Sequence, residues 1–147
     1  MALFKFTKAI LSGETIDVYN HGEMSRDFTY IDDLVHGMRL LVDAIPEGRN
    51  TSEENAGKMD SKSRVAPFRV VNIGNSQPSK LLDFIEAIEE SIGIEAVKNF
   101  MPMQAGDVPA TWADITLLKE LTGYTPSTEL NVGVQSLLSW FHTYYES

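Results

Sequence analysis

Arg26 heads the octet Arg-Asp-Phe-Thr-Tyr-Ile-Asp-Asp over residues 26–33. A guanidinium held at the lip of a cleft can grip a diphosphate, because its planar fork makes two charge-assisted hydrogen bonds at once. The competing reading is a surface ion pair with Asp27 or another carboxylate, of the kind that contributes little. The spacing of Phe28, Tyr30 and Ile31 predicts a short strand handing over to a helix, with Asp32 or Asp33 as the cap at its positive end. Tyr19, seven residues upstream, is expected to reach the same ligand from a neighbouring strand.

The other familiar chemistries lack their signatures. There is no cysteine, which excludes disulfides, thiolate metal sites and a cysteine nucleophile. His21, His36 and His142 lie far apart in sequence, without the spacing of a histidine metal site. Neither a glycine-rich dinucleotide loop, a phosphate-binding P-loop nor a G-x-S-x-G elbow occurs. None of the five tyrosines is followed by a lysine four positions on. A net charge of -9 argues against a nucleic-acid footprint, which needs clustered cations. A small phosphorylated ligand needs only one or two basic groups.

The elements that must position Arg26 follow from hydrophobic periodicity. Residues 2–12 read as a half-buried helix stopped by Gly13. Residues 15–19 alternate as a short strand, and Asn20-His21-Gly22 is the turn after it. Ile31, Leu34, Val35, Met38, Leu41, Val42 and Ile45 predict an unbroken helix over 31–45. The polar run over 46–67 reads as an exposed loop insertion rather than a linker. Residues 68–73 are rich in β-branched side chains and predict a buried strand ending at Gly74, followed by a helix through Leu81, Ile85, Ile88 and Ile92 that Gly93 closes. The turn at Gly74 is also of a kind that offers N–H groups to an anion or a base.

A short strand is expected over 95–99 and an ordered loop over 100–114, pinned to the core by Trp112 and Met101. Asp114 then caps a helix containing Ile115, Leu118 and Leu121. The last helix starts near Leu130 and carries Phe141, Tyr144 and Tyr145, an aromatic edge expected in the core. The chain thus reads as α/β and as one unit over 1–147. No apolar run is long enough to span a membrane, and Lys5 and Lys8 interrupt the opening in a way that argues against a signal peptide. A cytoplasmic location fits.

Taken together, RDFTYIDD, VVNIGNS and PMQAGDVPATWAD, in this order and spacing, resemble the C-terminal part of the NAD-dependent nucleotide-sugar epimerases of the extended short-chain dehydrogenase/reductase family. PMQAGDVPAT is most similar to the UDP-glucuronate 4-epimerase branch. The resemblance implies the substrate-binding portion of an enzyme that oxidises C4 of a UDP-sugar with NAD and returns hydride to the other face. It implies that the cofactor loop and the tyrosine-lysine pair belong to a Rossmann half N-terminal to these residues. This chain alone is then expected to be inactive and to bind no NAD.

Residue by residue, the resemblance implies that Arg26 holds the diphosphate, and that Tyr19 and the backbone around Asp17 hold the uracil. Leu81 falls on the helix that covers the base. Asp107 approaches the ribose, where a carboxylate is a suitable acceptor for hydroxyls. Gln104 stands where galactose-type epimerases carry a second phosphate-binding arginine, which leaves Arg26 with more charge to neutralise. Thr111 replaces a hexose-lining tyrosine and leaves room for a larger C5 substituent such as a carboxylate. A dehydratase or decarboxylase of the same family, and a free-standing nucleotide-sugar binding module, are the alternatives. The helix over 31–45 and the strand over 68–73 are expected to expose apolar faces in this chain and to drive homodimerisation or other self-association.

Overall fold

The computed structural model describes residues 2–46, 61–63 and 65–145. Most of the loop insertion expected over 46–67 lies outside the described residues. The chain divides into two compact units: Met1–Phe28, Gln77–Trp112 and Thr128–Ser147 form one, and Thr29–Ser76 with Ala113–Ser127 the other.

The first unit is built from helix α1 (Ala2–Leu11), strand β1 (Ile16–Val18), a four-residue turn (Tyr19–Gly22) and strand β2 (Ser25–Arg26). The chain re-enters it as β3 (Ser79–Lys80), α3 (Leu81–Ile92) and β4 (Lys98–Phe100), and α5 (Leu130–Tyr145) completes it. β1 pairs in parallel with β4, Asp17 opposite Asn99. β2 pairs antiparallel with β3, so that Arg26 faces Ser79 and Ser25 faces Lys80. Tyr19 opens the turn after β1 and Arg26 lies in β2, which pairs with β3, so the two do not sit on neighbouring strands. α3 begins directly after β3, and its Leu81 N–H donates at 2.8 Å to the carbonyl of Met24, the residue before β2. Gly93 ends α3 in the left-handed conformation at φ 77°, which glycine adopts without a Cβ penalty.

Apolar spacing on α3 puts Phe84, Ile85 and Ile88 on one face, and all three are buried. They meet Ile10 from α1, Ile16 and Val18 from β1, and Val134 and Leu138 from α5. Glu89 fastens β4 to α3 by accepting from the Ala96 N–H at 2.6 Å and from Lys98 Nζ at 2.5 Å. The aromatic edge of α5 departs from expectation. Phe141 is buried, whereas Trp140, Tyr144 and Tyr145 are about half exposed or more; Trp140 stacks on Tyr144, and Tyr145 packs against Phe141 and Phe4.

The second unit holds α2 (Ile31–Asp43) and α4 (Thr116–Thr122). Tyr30, not an aspartate, occupies the N-cap of α2, and no side chain caps it; Asp32 and Asp33 lie in the first turn, where their charge still favours the positive end. Gly37 is the buried point of α2, with Ile73 so near that an added Cβ would lie 3.2 Å from it. Asp114 does serve α4, accepting from the Thr116 N–H at 2.9 Å, from one position before the cap residue Ile115.

Residues 68–73 form no strand. A strand exists only by hydrogen-bonding a neighbour, and none of the described residues supplies a ladder for these. Along α2, Ile31, Val35, Met38 and Val42 are 58%, 55%, 56% and 68% exposed, Ile45, past the helix end at Asp43, is 74% exposed, and Phe68 and Val70 are 58% and 57% exposed. The apolar faces are open, as the resemblance implies for this chain alone, and residues 68–73 are not the buried segment that their β-branched composition predicts.

Candidate functional site

Arg26 is fixed from both sides of its strand. On one side is β3. On the other, residues 109–111 run parallel to β2: the Ser25 N–H donates to the Pro109 carbonyl at 2.9 Å, the Thr111 N–H to the Ser25 carbonyl at 3.2 Å, and the Asp27 N–H to the Thr111 carbonyl at 3.1 Å. The guanidinium is oriented by its own neighbour, Nη1 donating to the Ser25 carbonyl at 2.8 Å.

The turn carrying Tyr19 is equally constrained. Asn20 and His21 have φ of 49° and 52°, left-handed values that cost energy in residues with a side chain. Local bonds hold them there. Asn20 Nδ2 donates to the Glu23 carbonyl at 2.7 Å, and the His21 N–H to the Met101 carbonyl at 3.0 Å. Gly22, at φ 84°, lies so close to α3 that a Cβ would come within 2.7 Å of the Leu82 side chain.

These elements enclose a cavity of about 210 Å³ within the first unit. Asp17, Tyr19, Arg26, Leu81 and Asp107 all line it. Gln104 and Thr111 do not line it. Gln104 instead accepts from the Asp107 N–H at 3.2 Å through its carbonyl, closing the turn that presents Asp107, and the backbone of Thr111 braces β2. Asn99 Nδ2 donates to Asp17 Oδ1 at 2.8 Å and steadies that carboxylate. Trp112, expected to pin this loop, is 66% exposed; the pairing of residues 109–111 with β2 does that work.

The rest of the wall is mostly apolar, formed in part by Phe6, Met24, Phe28 and Phe84. Phe28 is two residues from Arg26, so strand alternation could have found it. Ser79 also lines the cavity; only the pairing register reveals it. Chemically, an aromatic floor with one guanidinium and two carboxylates suits a ligand with a flat apolar part, hydroxyls and an anionic group. The volume is below the roughly 300–1,000 Å³ of pockets that enclose whole small molecules, so the cavity fits one end of an extended ligand.

A second, shallower depression lies in the second unit, lined by Asp32, Asp33, His36, Arg39 and Tyr124 among others. Tyr124 Oη donates to Asp33 Oδ1 at 2.7 Å. Burial, with that hydrogen bond and the Asp33 charge, pushes its phenol up to about 12. Among the described residues no cluster of three or more His, Asp or Glu could hold a metal ion, and no helix is long and apolar enough to cross a membrane.

Residues 2–137 match the family model described as GDP-mannose 4,6 dehydratase. The chain belongs to that family. It is 48% identical over 146 residues to a probable UDP-glucuronate 4-epimerase of Rhizobium meliloti (strain 1021), a match that takes in 99% of this chain and 42% of the relative. It is 39% identical over 149 residues to UDP-glucuronate 4-epimerase 4 of Arabidopsis thaliana, covering 99% of this chain and 32% of that one. The chain thus spans less than half the length of the curated relatives it matches. Among solved structures it resembles the Bacillus cereus UDP-glucuronic acid 4-epimerase in complex with UDP-glucuronic acid and NAD, with a TM-score of 0.77 and 28% identity over 99% of this chain and 40% of that one. The family's α/β architecture, matched here in its C-terminal part, explains the short strands with flanking helices.

The family implies NAD, and this chain's residues do not fit it. A dinucleotide needs a glycine-rich turn opening a helix for its pyrophosphate, and neither the sequence nor the cavity, with its single cation, offers one.

Proposed function

We propose that this chain forms the UDP-sugar-binding part of a 4-epimerase of the UDP-glucuronate type. Its reactive centre and its NAD site, the source of the redox chemistry, then belong to a nucleotide-binding half outside these residues. One observation carries the reading: Asp17, Tyr19, Arg26, Leu81 and Asp107, spread over 91 positions of sequence, line a single cavity. Arg26 would hold the diphosphate, Tyr19 and the backbone around Asp17 the uracil, Leu81 the base from above, and Asp107 the ribose hydroxyls. Gln104 and Thr111 would act only where the sugar extends beyond this cavity. The 48% identity to a probable UDP-glucuronate 4-epimerase favours epimerisation over dehydration or decarboxylation. The same reading makes the chain inactive alone, cytoplasmic, and self-associating or docked to the nucleotide-binding half through the open face of α2.

Calorimetry tests it. The chain should bind UDP weakly and NAD not at all, and Arg26→Ala should abolish UDP binding. Unchanged binding in that variant would remove Arg26 from the site, and NAD binding by the chain alone would contradict the division of labour.

A further inference from the structure

Ser79 stands directly opposite Arg26 in the antiparallel pairing of β2 and β3. Side chains paired in this way rise from one face of the ladder, with Cβ atoms roughly 5 Å apart, and both residues line the cavity. That wall carries one guanidinium against two carboxylates, Asp17 and Asp107. The two negative charges offset much of the attraction that Arg26 alone exerts on a doubly charged ligand. A diphosphate bound here therefore depends on neutral donors, which bring hydrogen bonds without adding to the repulsion. Gln104 does not line the cavity. Ser79 does, at the register of the cation itself.

We propose that Ser79 is the second phosphate ligand of this site, its hydroxyl donating to the same diphosphate that Arg26 grips. The inference rests on the UDP-sugar reading and adds the neutral half of the anion clamp. A hydroxyl within about one strand spacing of a guanidinium can donate to one phosphate oxygen while the fork holds others. Such a hydrogen bond to a charged acceptor is stronger than one between neutral groups. Lys80, the next residue, faces away in the alternation of the strand and is exposed.

The test compares two probes, uridine and UDP, by calorimetry on the 147-residue chain. The unaltered chain should bind UDP more tightly than uridine. Ser79→Ala should weaken UDP about tenfold and leave uridine unchanged, while Ser79→Thr, which keeps the hydroxyl, should retain UDP binding. Circular dichroism should be the same for all three. If Ser79→Ala binds UDP as the unaltered chain does, or weakens uridine and UDP equally, Ser79 is no phosphate ligand, although the UDP reading stands. If the unaltered chain binds no UDP, the UDP reading fails and this inference fails with it.

Discussion

Phe28 stacks on Phe84, ring centroids 4.5 Å apart and planes 10° from parallel. Phe84 is 1% exposed and belongs to the core, and Phe28 is packed against that core from the segment following Arg26. The ring pair thus joins the stability of the first unit to the floor of the cavity. Phe84→Ala should destabilise by about 3–5 kcal/mol. Phe28→Ala should cost less, since its ring is half-buried. A double-mutant cycle in urea should return a coupling of about 0.5–1.5 kcal/mol; additive losses would mean that the stacking contributes nothing of its own.

Gly22 offers a separation of two costs. Gly22→Ala forces a side chain into the left-handed region, at about 1–2 kcal/mol, and drives a Cβ against Leu82. Leu82 is 40% exposed and can swing aside, so the backbone term should dominate. Adding Leu82→Ala should recover only the smaller, steric share of the loss in melting temperature. Full recovery would show that the contact, not the φ angle, sets the cost.

Tyr124 predicts an alkaline transition in the second unit. Its phenol is raised from 10.0 to about 12, first by burial and then by Asp33. A group whose folded value is raised adds stability that is complete below its unfolded value and is lost as pH climbs through the folded one. Stability should therefore fall between about pH 10 and 12, with one tyrosine ionising late in an ultraviolet titration. Tyr124→Phe should remove that late step and flatten the alkaline limb.

The open face of α2 predicts concentration-dependent association. Ile31, Val35, Met38 and Val42 form one exposed apolar stripe, which water disfavours. Sedimentation velocity should show species larger than a monomer, and Val35→Glu with Met38→Glu should shift the population to monomer without unfolding the chain. A monomer at every concentration, with the stripe intact, would rule out this face as an adhesive surface.

The helices were legible because their period is local. The apolar spacing of α2, α3 and α5 and the stop at Gly93 needed no partner to be read. The strand at 68–73 was misjudged for the opposite reason, since β-branched composition marks a segment that fits a ladder but does not provide one. Likewise, the capping role given to Asp32 or Asp33 missed Tyr30, because caps depend on where the last extended residue falls. In the site, Arg26 and Tyr19 were readable from their own neighbourhoods, whereas Asp17, Leu81 and Asp107 were implied by the resemblance to the nucleotide-sugar epimerases. Ser79 and the brace at residues 109–111 depend on register between distant segments, which one-dimensional spacing does not encode.

Residues 109–111 and residues 25–27 share three backbone hydrogen bonds, and that brace begins two residues after Asp107 and flanks Arg26. The acidic and basic jaws of the pocket are therefore bolted to a common beam. An insertion between Asp107 and Pro109 would spare Arg26 and displace only the acid, whereas a slip of the brace by one position would carry both jaws off target together.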